Sequence, residues 1–460
     1  MEQTWRAMGL NDLDLLLDVR GGPGVGRALR DALRGAVREG RLAPGTLLPG
    51  TRSLAAELGV SRGTVVEAFE QLIAEGWLVG QPGSGTRVAQ ATATADVEPG
   101  REPSMIDLRP GRPDLGSFPR TVWAAGVRRV LSAVEATALD VPDPAGLAEL
   151  RRALAGYLAR TRGVRTEPEL IMITAGFTHG LAILARTFAR LGIGLIATEN
   201  PCLARHRRLL AAGGLRLAAL TVDDHGADPA GLVGGTGAAL LTPSHQHPYG
   251  VALAPDRRAA FVDWARSART YLIEDDYDGE FRYDRAPSAA LQAAEPERVI
   301  YAGTASKALA PALRIGWLVL PPALAEAARE TAEDLGAAVP AIDQLTLADL
   351  IERGDYDRRV RRARRTYQRR RAELAGAVDA PLRGLDAGLH ALLPLPDLAT
   401  ERATVDRAAE AGMLLYGLNA PAHWLAPDRP AAGVLIGYAT PPDHAWRRAL
   451  ERLGPVLRTR

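Results

Sequence analysis

The sequence predicts an α/β domain with a mostly parallel sheet, preceded by a smaller helix-rich domain. Three observations carry this. From about Met105 onward, short apolar runs alternate with longer amphipathic stretches, a strand, helix, strand repetition. From about Gly26 to Val88 the spacing is helical instead, broken by turns that contain Gly and Pro. Between the two, Ala89 to Pro103 lacks large apolar side chains and reads as a flexible tether. The expected division is residues 11–88, a linker over 89–104 and a large domain over 105–460. A chain of 460 residues is too long for one ordinary core.

Composition narrows the class. Apolar residues at 47% and charged residues at 24% describe a soluble globular protein. A net charge of only +2 excludes a global basic field, so any contact with nucleic acid must come from a local patch. The single Cys202 excludes an internal disulfide framework and fits a reducing compartment. The first residues, Met1 to Arg6, show no secretory pattern, and no apolar run is long enough to span a bilayer. We expect a cytoplasmic protein.

In the first domain, Val25, Leu29, Leu33 and Val37 give one apolar helix face, ended by Arg38-Glu39-Gly40. Leu42 to Gly45 is a turn. Thr51-Arg52-Ser53 opens a short helix through Leu58, with Ser53 as the expected N-cap, and Gly59-Val60 breaks it. Ser61 caps a second helix that runs through Val65, Phe69 and Leu72. Two short helices joined by a tight Gly-containing turn are a helix-turn-helix signal. Glu67, Glu70 and Glu75 fall on later turns, as a core-facing or solvated rear face would require. Trp77 to Val79, Gln81 to Thr86, then Arg87-Val88 read as a hairpin with a Gly-rich tip, a wing.

These residues resemble the winged helix-turn-helix of the GntR family. The resemblance rests on Gly40 to Gly45, Leu48 to Arg52, Leu58 to Val65, Glu75 to Leu78 and the wing Gly83-Ser84-Gly85-Thr86, nearly the whole module. It implies a double-stranded DNA partner, with the helix from Ser61 in the major groove. It further implies DNA contacts from Arg52, Arg62 and Thr64, Ser61 near a phosphate, and Gly83, Ser84, Gly85 and Thr86 in a minor-groove wing. The family's usual Ser is replaced by Gly50, which puts one phosphate contact in doubt.

In the second domain the apolar runs are Leu170 to Thr174, Leu195 to Thr198, Ala238 to Thr242, Tyr271 to Glu274, Val299 to Tyr301 and Gly316 to Leu320. Gly180 to Leu191 and Arg257 to Ala268 are amphipathic helices between them. In such a sheet a ligand is expected at the strand ends. Three ends carry chemistry. Ala175-Gly176-Phe177-Thr178 is a small-residue turn into a helix, where backbone N–H groups hold phosphate. Glu274 to Asp278 is an acidic run. Tyr301 to Gly316 contains Lys307, the only lysine in the chain. Arginine suffices for salt bridges and phosphate clamps, but only a lysine amine loses its proton near neutrality and captures a carbonyl. Thr304, Ser306 and Arg314 around it make a phosphate site beside a Schiff-base site.

These segments, with Gly111 to Asp114, Asp143 to Leu147, Arg162-Gly163-Val164 and Thr242 to Gln246, resemble fold-type I pyridoxal 5'-phosphate (PLP) aminotransferases. With the first domain in front, the whole chain is similar to the MocR regulators, the group with GabR-like and PdxR-like members. The resemblance implies a homodimer, domain-swapped head to tail, with PLP as cofactor. Lys307 would form the internal aldimine, Asp275 would pair with the pyridine nitrogen, and Tyr277 would hydrogen-bond the ring oxygen. Gly176, Phe177, Thr178, Thr304, Ser306 and Arg314 would hold the phosphate. Arg205 matches a carboxylate-contacting arginine of the GABA-sensing members and is the expected effector contact or a surface residue.

Several positions depart from the pattern. Leu203 stands where an aromatic residue usually stacks on the ring. His247 replaces an Asn that bonds the ring oxygen, so it either takes that bond or is an ordinary loop histidine. Val141 replaces a Tyr that reaches the partner's phosphate. The C-terminal strand, Gly433 to Ala439, lacks the Arg that binds a substrate carboxylate, and without that clamp transamination should be poor. The reading is a regulator that senses PLP or an amine or amino acid, with control of vitamin B6 or amino-acid metabolism implied, rather than an enzyme. A working aminotransferase with a DNA module is the alternative, and a vestigial PLP site is a third reading. Nine arginines between Arg358 and Arg371 read as a solvated helix face, or as a second phosphate-binding surface.

Overall fold

A computed structural model describes residues 25–38, 42–81, 85–89, 105–283, 289–336, 338–378, 380–419, 423–425 and 431–457. The chain splits into two compact units, Met1–Glu102 and Pro103–Arg460. Residues 90–104 of the expected 89–104 linker, the motif residues Gly40 and Arg41, and the wing-tip residues Gly83 and Ser84 lie outside the described residues.

The first unit is three helices and a hairpin: α1 (Val25–Arg38), α2 (Thr51–Leu58), α3 (Arg62–Ala74), β1 (Leu78–Gln81) and β2 (Gly85–Val88). Leu29, Leu33 and Ala36 of α1 close over Leu54, Val65, Phe69 and Leu72 in one buried cluster. Helix α2 corrects one expectation. Its N-cap is Gly50, whose carbonyl already accepts from the Leu54 amide at 2.9 Å, so Ser53 sits inside the first turn and caps nothing. Gly59 ends α2 in the left-handed conformation (φ 64°), which glycine adopts without a Cβ penalty. Ser61 does cap α3: its hydroxyl accepts from the Thr64 amide at 3.1 Å and shares a 2.8 Å bond with the Thr64 hydroxyl. Glu67 and Glu70 are exposed, and Glu75 pairs with Arg34 of α1 at 2.7 Å, so the rear of α3 is solvated. Strands β1 and β2 pair antiparallel from Leu78↔Val88 to Gln81↔Gly85.

The second unit begins with β3 (Ile106–Asp107), α4 (Arg120–Ala133) and α5 (Ala148–Arg162). Then strands and helices alternate: β4 (Ile171–Thr174), α6 (Phe177–Arg190), β5 (Leu195–Asn200), α7 (Ala204–Ala212), β6 (Arg216–Asp223), β7 (Gly226–Ala227), β8 (Ala238–Leu241), α8 (Pro255–Ser267), β9 (Tyr271–Asp275), β10 (Val299–Thr304) and β11 (Gly316–Val319). Helices α9 (Pro322–Asp334), α10 (Ala341–Glu352) and α11 (Asp355–Ala377) follow. A smaller layer closes the unit: β12 (Ala391–Leu395), α12 (Leu398–Glu410), β13 (Met413–Leu414), β14 (Tyr416–Gly417), β15 (Ala432–Ile436) and α13 (Asp443–Leu457).

The large sheet has eight strands in the order β4-β11-β10-β9-β8-β5-β6-β7. Neighbours from β10 through β6 pair parallel, whereas β11 runs against both β10 and β4, and β7 against β6. The mostly parallel sheet expected from the sequence is therefore mixed at its edges. Strands β4, β8, β9, β10 and β11 are buried along their whole length, because helices cover both faces and leave no polar side. No helix of the described residues is long and apolar enough to cross a membrane.

The arginine run needs a correction. It lies on α11, but Arg370 and Arg371 belong to the interior: Arg370 donates to the carbonyls of Tyr438 and Pro441, and Arg371 pairs with Asp386 at 3.4 Å. Arg359 is tied to the Ala308 carbonyl and the Ser117 hydroxyl. A helix turns fully every 3.6 residues, so a dense run cannot stay on one face; Arg358, Arg361, Arg362, Arg365 and Arg369 are the exposed part.

Replacing the cap, Ser61→Ala, should lower the local opening free energy of α3 by about 1 kcal/mol. Hydrogen exchange of the α3 amides in the full chain measures it; unchanged protection would mean the cap is redundant.

Candidate functional site: a lysine cavity at the strand ends

The carboxyl ends of the parallel strands open into a cavity of about 390 Å³. Each strand end contributes one wall. Strand β5 ends at Glu199 and Asn200, β8 leads into Thr242 and His247, β9 ends at Asp275 with Tyr277 two residues on, and β10 ends at Thr304 before Ser306 and Lys307. Arg205 and His206 enter from α7, and Phe177 and Thr178 from the first turn of α6.

Lys307 is the centre. Its Nζ donates to the Gly111 carbonyl at 2.6 Å. Burial lowers the proton affinity of its amine; Asp278 and Asp275 work against that, and Arg112 adds to it. The result is an amine readier to act as a nucleophile than an exposed lysine. Asp275 is buried, and its carboxyl makes no hydrogen bond among the described residues. Burial pushes its pKa well up and the charge of Lys307 opposes this. Such a carboxyl suits a cationic ring nitrogen, which would supply the missing partner. The Tyr277 hydroxyl donates to the His245 carbonyl at 3.0 Å and stands 3.2 Å from His245 Nδ1, which in turn lies 2.8 Å from Asp278. His247 lines the cavity, and its Nε2 is buried without a partner among the described residues. Its ring packs on His390 at 5.0 Å and His423 at 5.6 Å, and burial keeps all three well below the ordinary histidine value or, for His423, below it.

At the other end the hydroxyls and the guanidinium converge. The Ser306 amide donates to the Thr304 hydroxyl at 3.2 Å, and the two hydroxyls bond at 2.9 Å. Arg314 reaches the Ala175 carbonyl and the Thr178 hydroxyl. Its own backbone is left-handed (φ 51°), an uncommon state for a side chain with a Cβ, stored where the chain turns from Pro311–Leu313 into β11. Gly176 lies behind the guanidinium: a Cβ there would meet three Arg314 atoms at 3.2 Å. With the N-terminus of α6 beside it, this end is built for a phosphate. The orphaned His247 nitrogen, the unpartnered Asp275 carboxyl and this anion-binding end together fit PLP.

Every sequence-derived residue of the large domain's site lines this cavity except Gly176, which sits behind Arg314; Arg205 lies on the cavity wall, exposed and without an ion pair among the described residues. Leu203 also lines the wall, half-exposed, and Val141 is 87% exposed. Sequence reasoning gave no role to Arg112, Glu199, His206, Tyr416 and His423, which line the same cavity. Glu-x-Pro at Glu199 was a usable signal; for the others, on separate segments, only the fold brings them together. In the first unit Arg52, Arg62 and Ser61 are exposed, Thr64 is half-buried under its bond to Ser61, and Gly85 and Thr86 open β2.

A cavity of this composition at this edge of this sheet defines an aminotransferase-type domain of the PLP-dependent class, on a chain that also carries a helix-turn-helix unit. Residues 26–88 match the bacterial regulatory proteins of the gntR family, and residues 103–418 match aminotransferase class I and II. The chain belongs to the family of HTH-type transcriptional regulators that join the two, resembling MocR. It is 34% identical to the HTH-type pyridoxine biosynthesis transcriptional regulator PdxR of Corynebacterium glutamicum, over 97% of this chain and 99% of that one. It is 30% identical to the probable rhizopine catabolism regulatory protein MocR of Rhizobium meliloti, over 95% of each. An archaeal alanine:glyoxylate aminotransferase superposes with a TM-score of 0.69 and 23% identity, over 77% of this chain and 90% of that one, a likeness of fold.

Glu199 supplies a pH test. Its carboxylate accepts from the Thr242 amide and hydroxyl, yet burial dominates and raises its pKa from 4.5 to about 7. The folded chain therefore keeps this proton longer than the unfolded chain. Its contribution to stability is full below about pH 4.5 and is lost as pH rises to about 7. The gap of about 2.5 corresponds to about 3 kcal/mol. Relative to wild type, Glu199→Gln should gain about that much between pH 4.5 and 8, read by urea unfolding at each pH; parallel curves would refute the burial argument.

Proposed function

We propose that this protein is a PLP-binding transcriptional regulator that works as a homodimer and changes its hold on DNA when the cavity at Lys307 takes up its ligand. The observation that carries the reading is the single lysine, its amine held at 2.6 Å from the Gly111 carbonyl between an unpartnered buried carboxyl and an anion-binding end. When bound, PLP supplies an aldehyde that condenses with a primary amine. The protein's own residues do the rest. Lys307 provides the amine, Asp275 holds the ring nitrogen protonated, Tyr277 and His247 bond the ring oxygen, and Gly176, Phe177, Thr178, Thr304, Ser306 and Arg314 hold the phosphate. Arg52, Ser61, Arg62, Thr64, Gly85 and Thr86, with Gly83 and Ser84 of the wing tip, contact DNA. The effector is PLP itself or an amino compound that reaches Lys307.

Regulation is favoured over turnover because the strand β15 and its continuation to Ala439 present no arginine to orient a substrate carboxylate. A dimer is supported by large apolar side chains exposed on one stretch, Leu115 at 51%, Leu131 at 55%, Leu139 at 59% and Val141 at 87%, which a second copy would cover. The relation to PdxR points to vitamin B6 metabolism as the field of control.

Two experiments test this. Purified chain mixed with PLP should develop a visible band that borohydride bleaches, and Lys307→Ala should show none; a bandless wild type would leave a winged-helix regulator on a vestigial cavity. On duplexes selected from a random pool, Arg62→Ala should weaken binding across sequences and reduce the salt dependence by about one phosphate contact. An unchanged salt slope would remove Arg62 from the interface, and multiple turnover of an amino donor would establish the enzyme reading instead.

A further inference from the structure

Arg112 has no place among the residues that would hold PLP, yet it faces the same cavity. It sits on a strap, Arg109 to Arg112, that is fixed at both ends. The Gly111 carbonyl takes the Lys307 amine, and the Thr440 hydroxyl donates to the carbonyls of Arg109 and Arg112 at 2.8 and 3.1 Å. The strap also lies directly on the end of the C-terminal strand: the Gly437 amide donates to the Leu108 carbonyl at 2.6 Å, and a Cβ on Gly437 would meet the Arg109 carbonyl at 2.3 Å. The strand that lacks an arginine is thus overlaid by a segment that has one.

The guanidinium of Arg112 is only loosely engaged. Its side chain is 54% exposed, and among the described residues its one ion-pair partner is Asp107, to which it donates at a long 3.5 Å. That carboxylate is already held by two Arg109 nitrogens at 2.9 and 2.7 Å. Arg314, by contrast, is engaged at the anion-binding end. Arg112 acts on the amine end, close enough for its charge to lower the proton affinity of Lys307.

We infer that Arg112 selects the ligand, and that the cavity takes amino compounds carrying a second, anionic group such as a carboxylate in preference to plain amines. This rests on PLP binding at Lys307, and the experiment keeps the two apart. The full chain loaded with PLP is titrated with β-alanine and with propylamine, following the visible band of the bound cofactor. In wild type the band should respond to β-alanine at roughly tenfold lower concentration or less, the scale of one charge-assisted contact. In Arg112→Leu the preference should vanish while the response to propylamine stays, and Arg112→Lys should restore part of it. Equal responses in wild type, or a preference kept in Arg112→Leu, overturn the inference. A second arm needs no cofactor: calorimetry of the cofactor-free chain with succinate should show binding that weakens roughly tenfold in Arg112→Leu. Absent or unchanged binding overturns the inference there too. No band in wild type with Arg112-dependent succinate binding would refute the PLP reading and leave the anion site standing.

Discussion

A partly buried lysine amine at the carboxyl ends of a parallel sheet is the constraint on which the large domain depends. Burial lowers its proton affinity. The Gly111 carbonyl fixes its direction, and Asp275 and Asp278 oppose the loss of its proton. The net effect is a lowered proton affinity, the direction that favours a nucleophile toward carbonyls. The sheet makes this affordable in structural terms, because parallel strands covered on both faces deliver several side chains to one edge while keeping their backbones fully bonded.

The carboxylates beside the lysine would repel one another without a counter-charge. Asp276, next to Asp275, is held by the fully buried Arg162 at 2.7 Å, with the Tyr301 hydroxyl on the same oxygen and Ser244 on the guanidinium. Glu274 one residue earlier caps the Leu291 and Gln292 amides. Alternate residues of β9 point to opposite faces, so Asp275 faces the cavity while its two neighbours are satisfied in the scaffold. Asp278 in turn pairs with His245, so of the run's four carboxyls only that of Asp275 is left without a hydrogen bond among the described residues.

Much of this was legible in the sequence. Continuous apolar runs marked the buried strands, the lone lysine marked a residue of the strand-end cavity, and Gly-x-Thr marked the turn from β4 into α6 beside it. What was not legible depends on distances in the fold. Ser53 looked like a cap because Ser is a good cap, but the Gly50 carbonyl had already begun the helix. Arg370 looked like its exposed neighbours until α13 and the loop after β15 closed over it. Arg112 sits 195 residues before Lys307 in sequence (307 − 112), and only the fold brings it to the same cavity.

A ligand moves a two-state equilibrium only as far as its affinities for the two states differ. The contacts proposed for the cofactor's phosphate belong to fixed scaffold: α6, β10 and the turn before β11 are packed into the two buried clusters of the large unit. Those contacts add affinity without adding a switch. The strap from Arg109 to Arg112 differs in kind. It joins the lysine to the C-terminal layer: Gly111 takes the Lys307 amine, Thr440 bonds the carbonyls of Arg109 and Arg112, and the residues just before it pair with β13 and bond Gly437. For the regulator proposed here, the free energy that distinguishes the two states is best sought in that strap.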